Sequence, residues 1–351
     1  MLLKITKKIA LIALIVVVLI GGYFAFMTIT DYQPDEVIAL KQDTISKHTI
    51  DPSESFKITT FNIGYATLDK NADFFMDGGT ESKAESKEVV YKNLEGITSF
   101  YDETNSDFYL MQEVDIKALR SKNINEYEYL SDYLSDYEST FAPNYKVPWV
   151  PVPIMSPMGY VESGIVNFSK YQSDELNRYQ FPGEEAWPRQ LALLDRCFIE
   201  ARYKITDEKD LVIVNLHMSA YDSGGFMRAQ QVEYLQNFLK ENYEQGHYIV
   251  VGGDYNHELP GTNADNFNTE PKPSWLKVMD AEFTGFNWFI DEKIPTNRAL
   301  DKSYVKGVNY VSNIDGFLVS DNIKVTQTTV HDLNFENSDH NPVTIEFELN
   351  N

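Results

Sequence analysis

Short apolar or alternating runs recur along this chain, and nearly every one stops at an acid, an amide or an imidazole. Phe56-Lys57-Ile58-Thr59-Thr60-Phe61 alternates with the two-residue period of a strand and is followed by Asn62. Phe108 to Val114 contains Gln112-Glu113, and Leu211 to His217 contains Asn215 and ends in His217. Tyr248 to Gly252 leads into Gly253-Asp254-Tyr255-Asn256-His257, Ile314 to Ser320 carries Asp315, and Pro342 to Leu349 follows Ser338-Asp339-His340-Asn341. Ser163 to Phe168, Arg196 to Ile205 and Ile323 to Val330 read as further strands. Two stretches have helical spacing instead. They are 84–104, with Val89, Val90, Leu94, Ile97 and Phe100 near one face, and Arg228 to Tyr243, with Val232, Leu235 and Leu239 inward. This mixture predicts an α/β body of sheets flanked by helices. Periodicity does not say whether there is one sheet or two.

Taken singly, each polar residue has a plain structural reading. An Asp-x-Asn after a strand is ordinarily a turn, and a lone His in Leu216-His217-Met218 is ordinarily a satisfied core histidine. Taken together, they are what hydrolysis of a phosphoester requires. A cation must neutralise charge on the phosphoryl oxygens and the leaving group. Glu113 and Asp339 offer the hard oxygens that Mg²⁺ prefers. A water must be deprotonated and aligned for in-line attack. His340, with Asp315 as orienting partner, suits that task. Asn62 and Asn256 can hold a phosphate oxygen or the water without adding charge, and His217 can donate as charge develops.

These segments resemble the endonuclease/exonuclease/phosphatase (deoxyribonuclease-I-like) superfamily. The resemblance rests on Thr60-Phe61-Asn62, Met111-Gln112-Glu113-Val114, Asn215-Leu216-His217, Gly252-Gly253-Asp254-Tyr255-Asn256, the run from Ile314 to Ser320, and Ser338-Asp339-His340-Asn341-Pro342-Val343. It implies a four-layer sandwich of two mixed β-sheets flanked by helices, with the site at one end. It makes Glu113 the principal metal ligand, assisted by Asn62 and Asp339. Asp254 would activate or orient the water and Asn256 would bind phosphate. His340, hydrogen-bonded to Asp315, would be the general base or a phosphate contact. The expected ion is Mg²⁺, with Mn²⁺ or Ca²⁺ as substitutes.

Ile9 to Ile29 carries no charge and, as a helix, would span about 31 Å, enough for the hydrocarbon core of a bilayer. Lys4, Lys7 and Lys8 precede it, which puts the N-terminus in the cytoplasm and the rest outside. A cleaved signal peptide is the competing reading. No small-x-small site follows cleanly in Gly21-Gly22-Tyr23-Phe24-Ala25-Phe26, so a retained single-pass anchor is preferred. The expected organisation is a cytoplasmic N-terminus at 1–8, an anchor at 9–29, a tether at 30–55 and the catalytic body at 56–351. Cys197 is the single cysteine, so no intramolecular disulfide exists; it is expected to be a buried, inert thiol. An exported chain without disulfides fits a bacterial cell surface.

The net charge is −23, and the three N-terminal lysines are the only charged residues among the first thirty. Such an acidic body holds nucleic acid poorly, because that binding relies on cations displacing phosphate counterions. A lipid or small-molecule phosphoester therefore ranks above nucleic acid as substrate, and the expected state is a monomer. An extracellular nuclease, a catalytically silent surface binding module and a scaffold that displays a loop to a partner are the alternatives. Two segments bear on substrate choice. Tyr145 to Tyr160 is apolar and Pro-rich and reads as a loop, either packed on the body or forming a rim that touches lipid. Arg178, Arg189 and Arg196, near Trp187, are local cations suited to phosphate or to surface ion pairs.

Overall fold

The computed structural model describes residues 2–220, 222 and 224–350 of the 351-residue chain. Four helices are present among them: α1 (Leu2–Ile29), α2 (Lys87–Thr104), α3 (Glu126–Tyr133) and α4 (Phe226–Glu244). The first nine strands are β1 (Val37–Ala39), β2 (Ser55–Asn62), β3 (Phe108–Ala118), β4 (Glu138–Val150), β5 (Gly159–Ser169), β6 (Glu175–Gln180), β7 (Cys197–Lys204), β8 (Asp210–His217) and β9 (Tyr248–Asp254). The C-terminal strands are β10 (His257–Glu258), β11 (Lys277–Val278), β12 (Phe286–Phe289), β13 (Asn297–Arg298), β14 (Val311–Ser312), β15 (Asp315–Ser320), β16 (Ile323–Val330) and β17 (Val343–Leu349).

Two large mixed sheets form the body. One has seven strands in the order β1-β6-β7-β8-β9-β15-β12, the other six in the order β16-β17-β2-β3-β5-β4. Between them lies a core built from both: Phe56, Ile58, Phe108 and Leu110 of one sheet meet Ile199, Ile213, Val250 and Phe317 of the other. The outer faces are covered by helices. Val90, Leu94 and Ile97 of α2 pack with Phe61, Tyr109 and Met111, and Leu235 and Leu239 of α4 pack with Val212, Val214 and Val251. This is the expected helix-sheet-sheet-helix layering. Sandwiched strands must be apolar on both faces, which is why the runs at β8 and β9 are continuous rather than alternating.

Each sheet contains one parallel pair of neighbours joined through a helix: β2-α2-β3 and β8-α4-β9. Parallel neighbours need such a crossover. Their C-terminal ends lie at the same end of the sandwich, so Asn62 and Glu113 from one unit face His217 and Asp254 from the other.

Gly253 explains the double glycine before Asp254. Its φ is +150°, and a Cβ there would sit 2.1 Å from the Leu216 carbonyl oxygen of the neighbouring strand.

Two expectations are corrected. Residues 30–55 are not a free spacer. β1 pairs antiparallel with β6 (Val37↔Tyr179), Thr44 bridges Ser139 on β4, and Leu40 and Ile50 pack on the inter-sheet core. The segment therefore crosses from the edge of one sheet to the edge of the other. Nor is Tyr145 to Tyr160 one loop: β4 continues to Val150 and β5 begins at Gly159. Pro143 and Pro148 lie in β4, which is tolerable because β4 is an edge strand with no second ladder to feed. Cys197 is buried, as expected, and burial pushes its thiol pKa up.

α1 is long and apolar enough to cross a membrane, and its apolar surface from Ile9 to Ile20 stands clear of the body. A retained anchor and a signal sequence share these properties.

Gly253→Ala is expected to destabilise the body by about 1–3 kcal/mol, because the methyl must part β8 from β9. Chemical denaturation of the full chain reads this; an unchanged midpoint contradicts the packing described.

Candidate active site

A cleft of about 770 Å³ opens at the end of the sandwich where these strand ends meet. Glu113, His217, Asp254, Asn256, Asp339 and His340 all line it. Asp254 closes β9 and sits opposite His217 of β8 on one side and Asp315 of β15 on the other. His217 Nε2 lies 3.4 Å from Asp254 Oδ2 and 3.7 Å from Glu113 Oε1. His340 Nδ1 makes a 2.8 Å bond with Asp315 Oδ2, and its Nε2 lies 4.0 Å from Asp254 and 3.9 Å from Asp339. The six separated sequence segments therefore converge.

Local backbone geometry delivers several of these groups. The ladder between β3 and β5 is interrupted between Met111 and Val114, and Glu113 within that bulge has φ +59°. A bulge re-aims a side chain, and here it turns Glu113 out of the ladder and into the cleft. Asn256 has φ +50°; its N–H donates to Asp254 Oδ1 and its side-chain amide donates to the Met218 carbonyl. The turn after β2 passes close to the C-terminal motif: a Cβ on Gly64 would lie 2.6 Å from Asp339 Oδ1.

Asn62 and Asp315 stand behind the wall rather than in it. Asn62 is fully buried, donates to Asp254 Oδ2 at 3.1 Å and accepts the Gly64 N–H at 3.0 Å. In this arrangement it positions Asp254. Asn215 likewise turns inward, bridging the sheets through Gln112 and Asn167.

The electrostatics are those of crowded carboxylates. Burial, with Asp315 adding to it, pushes the Asp254 carboxyl up to about 7. Burial also pushes Asp339 up to about 6, with Glu113 opposing its ionisation. Burial alone would lower the His340 pKa, but Asp315 and Asp339 hold it well above its usual range. His217 is the opposite case: burial and Arg196 drive it well below that range, so it is neutral. One ligand atom each of Glu113, His217 and Asp254 lies within 4.8 Å of the others, and the same holds for Asp254, Asp315 and His340. Converging, mutually repelling carboxylate oxygens fit a hard divalent cation, which removes the repulsion that burial amplifies.

Other residues at the site carry no sequence signal. Asn297 Nδ2 bonds His340 Nε2 at 3.1 Å, and the two residues form a β-bridge. Arg298 is buried, donates to the carbonyls of Asp69 and Ala72, and lies where its charge favours ionised Asp339. Arg120 forms a buried ion pair with Asp115 at 2.8 Å and stacks 3.1 Å from the Tyr65 ring centroid. Of the three arginines expected to matter, Arg178 is fully buried and ties β6 to the Pro143 and Asp195 carbonyls. Arg189 pairs with Glu185 in solvent. Arg196 lines the cleft, and its Nη1 is buried without a hydrogen-bond partner.

Saturating Mg²⁺ is expected to raise the thermal midpoint of the full chain by several degrees, because an ion bound only by the folded state stabilises it. Glu113→Gln should remove most of that shift. A midpoint indifferent to every divalent ion contradicts the fit.

Neither a family model nor a curated protein matches the sequence. Solved structures do. An endonuclease/exonuclease/phosphatase protein from Beutenbergia cavernae superposes with a TM-score of 0.58 at 14% identity, covering 84% of this chain and 72% of that one. One from Bacteroides vulgatus gives 0.51 at 18% identity, covering 84% and 99%. ANGEL2, described as a 2′,3′-cyclic phosphatase, gives 0.54 at 14% identity, covering 89% and 99%. With its two stacked mixed sheets, covering helices and a cleft at the strand ends, this chain has the endonuclease/exonuclease/phosphatase fold.

Proposed function

We propose that this chain is a metal-dependent phosphoesterase that hydrolyses a phosphodiester or phosphomonoester by in-line attack of water. The observation that carries this reading is the convergence of Glu113, Asp254 and Asp339 with His217 and His340 on one cleft. The fold supports it, since ANGEL2 on the same fold is a cyclic phosphatase.

Glu113 and Asp339 would hold Mg²⁺; Asn62, whose amide donates to Asp254 and accepts from the Gly64 N–H, would act through Asp254 rather than as a ligand. When bound, the ion neutralises charge on the phosphoryl oxygens. Asp254 is the base: its pKa of about 7 leaves it able to take a proton from water near neutral pH. Asn62 and the Asn256 N–H hold it in place. Asp315 orients His340 and raises its pKa, which favours the protonated form whose Nε2 can donate to a phosphoryl oxygen in place of its contact with Asn297. Neutral His217 and the amide of Asn256 complete the phosphate contacts.

Arg196 and Arg298 each bring a buried nitrogen without a hydrogen-bond partner to the cleft wall. Arg120 and Lys302 also line the cleft, and its acids include Asp31, Glu184, Glu185, Asp195 and Glu270 beyond those of the site. This balance favours a compact phosphoester over a long polyanion, so a nuclease activity ranks second. We also take α1 as a retained single-pass anchor of a bacterial cell membrane, with Lys4, Lys7 and Lys8 inside and the body outside.

The full chain is expected to turn over bis-p-nitrophenyl phosphate with Mg²⁺ and to stop with EDTA. Asp254→Asn should lower kcat by about 10²-fold or more, and Arg196→Ala should act mainly on KM. No turnover with any divalent ion favours a catalytically silent binding module. For the substrate class, the slope of log KM against log salt is expected near zero; a steep slope points to nucleic acid. The anchor is read by mass spectrometry of the membrane fraction, where a mature N-terminus beyond Ile29 contradicts retention.

A further inference from the structure

The loop between β4 and β5 has no part in the site chemistry, yet its composition is unusual. Residues 147–161 carry no charge. The ends of the loop are fixed: Val147, Val150 and Met158 are buried, and the Ser156 carbonyl accepts the Ser82 hydroxyl at 2.7 Å. Its tip is bare, with Ile154 86% and Met155 95% exposed. Scattered apolar surface residues need no explanation. Two adjacent large ones, held out on a pinned loop, do.

What lies beside the loop supplies the explanation. Met27 of α1 is buried in the same cluster as Val147, Val150 and Met158, with Tyr23 and Phe24 packed against it. The Tyr23 hydroxyl donates to the Trp149 carbonyl at 3.1 Å. Trp187, on a different loop and 59% exposed, donates to the Thr28 hydroxyl at 3.2 Å and meets the Phe24 ring at 5.7 Å. The body thus grips α1 along its last turns, from Tyr23 to Thr28. That overlap is about 8 Å of helix. Tyr and Trp collect at the level of the lipid headgroups, and Tyr23, Trp149 and Trp187 mark one such level.

We propose that the β4–β5 loop tip, Trp149, Trp187 and the last turns of α1 form one membrane-seating surface, whose partner is the lipid bilayer that α1 crosses. The proposal rests on α1 being a retained anchor and needs no catalytic activity. Ile154 and Met155 enter the boundary between headgroups and acyl chains, and the absence of charge from 147 to 161 leaves nothing to desolvate there. The seating fixes the orientation of the cleft. Asp31, Tyr32 and Gln33, the residues that follow α1, line that cleft together with Tyr145 and Met158. Its mouth therefore starts at the membrane surface, where a phosphoester carried on a lipid headgroup is presented to Glu113 and Asp254 without leaving the leaflet.

The test uses the full chain reconstituted in phosphatidylcholine vesicles. Cys197 is buried and does not compete for labelling, so Met155→Cys, Leu19→Cys and Thr326→Cys can each carry an environment-sensitive fluorophore. Thr326 is exposed on β16, at the edge of the six-stranded sheet farthest in strand order from β4. The expected result is a blue shift and quenching by doxyl-labelled lipid at positions 19 and 155, with neither at 326. Quenching at 19 without quenching at 155 overturns the seating while leaving the anchor intact. Quenching at all three overturns it as well, because the body would then contact lipid without preference. No quenching at 19 overturns the anchor and the seating with it. None of these outcomes depends on turnover, so a failure of the phosphoesterase reading shows separately.

Discussion

The fold is organised around a repulsion. Glu113, Asp254 and Asp339 come from β3, from β9 and from the segment before β17, and the structure holds them around one cleft, Asp254 and Asp339 buried and Glu113 partly so. Two imidazoles stand among these carboxylates in different settings. His340 bonds Asp315 through Nδ1 and Asn297 through Nε2; His217 lies against Asp254 and Glu113. The remaining imbalance is what a divalent ion relieves. A cluster of this kind is costly to the folded state, and residues that break local rules are expected where function requires it. The left-handed backbone at Glu113 and Asn256 belongs to the same pattern.

The two β-α-β units account for how such a cluster can be assembled. Each sheet delivers two strand ends to the same edge, and stacking the sheets brings the four ends together. Neither sheet alone holds both Glu113 and Asp254. The inter-sheet core, from Phe56 and Leu110 to Val250 and Phe317, is therefore what sets the distances at the site. Gln112 and Asn215, bonded to each other across the sheets at 2.7 Å, fix the register of the stack just below it. The association of α1 with the β4–β5 loop adjoins the cleft, where the chain leaves the helix and lines the wall with Asp31 to Gln33.

Much of this was legible in the order of residues. The uncharged run from Ile9 to Ile29 is helical, the form that a run able to cross a bilayer would need, because a backbone in an apolar medium must bond to itself. Most strands and the helices α2 and α4 follow from period, since each buries one face or both. The eight residues named for the site are identifiable because an acid, amide or imidazole at the end of an apolar run has no packing task. All eight lie at the cleft or directly behind its wall.

What only the tertiary structure decided depends on partners far away in the chain. β1 exists because Val37 finds Tyr179, and three residues carry no period of their own. β4 is concealed by Pro143 and Pro148, which are compatible with a strand only once it proves to be an edge. Asn297 and Arg298 occupy a two-residue strand, and they matter because His340 and Asp339 happen to lie beside them. The placement of Asn62 and Asp315 behind the wall, and of Arg196 within it, is likewise a matter of long-range geometry. Sequence periods report which face of an element is buried; they do not report what buries it.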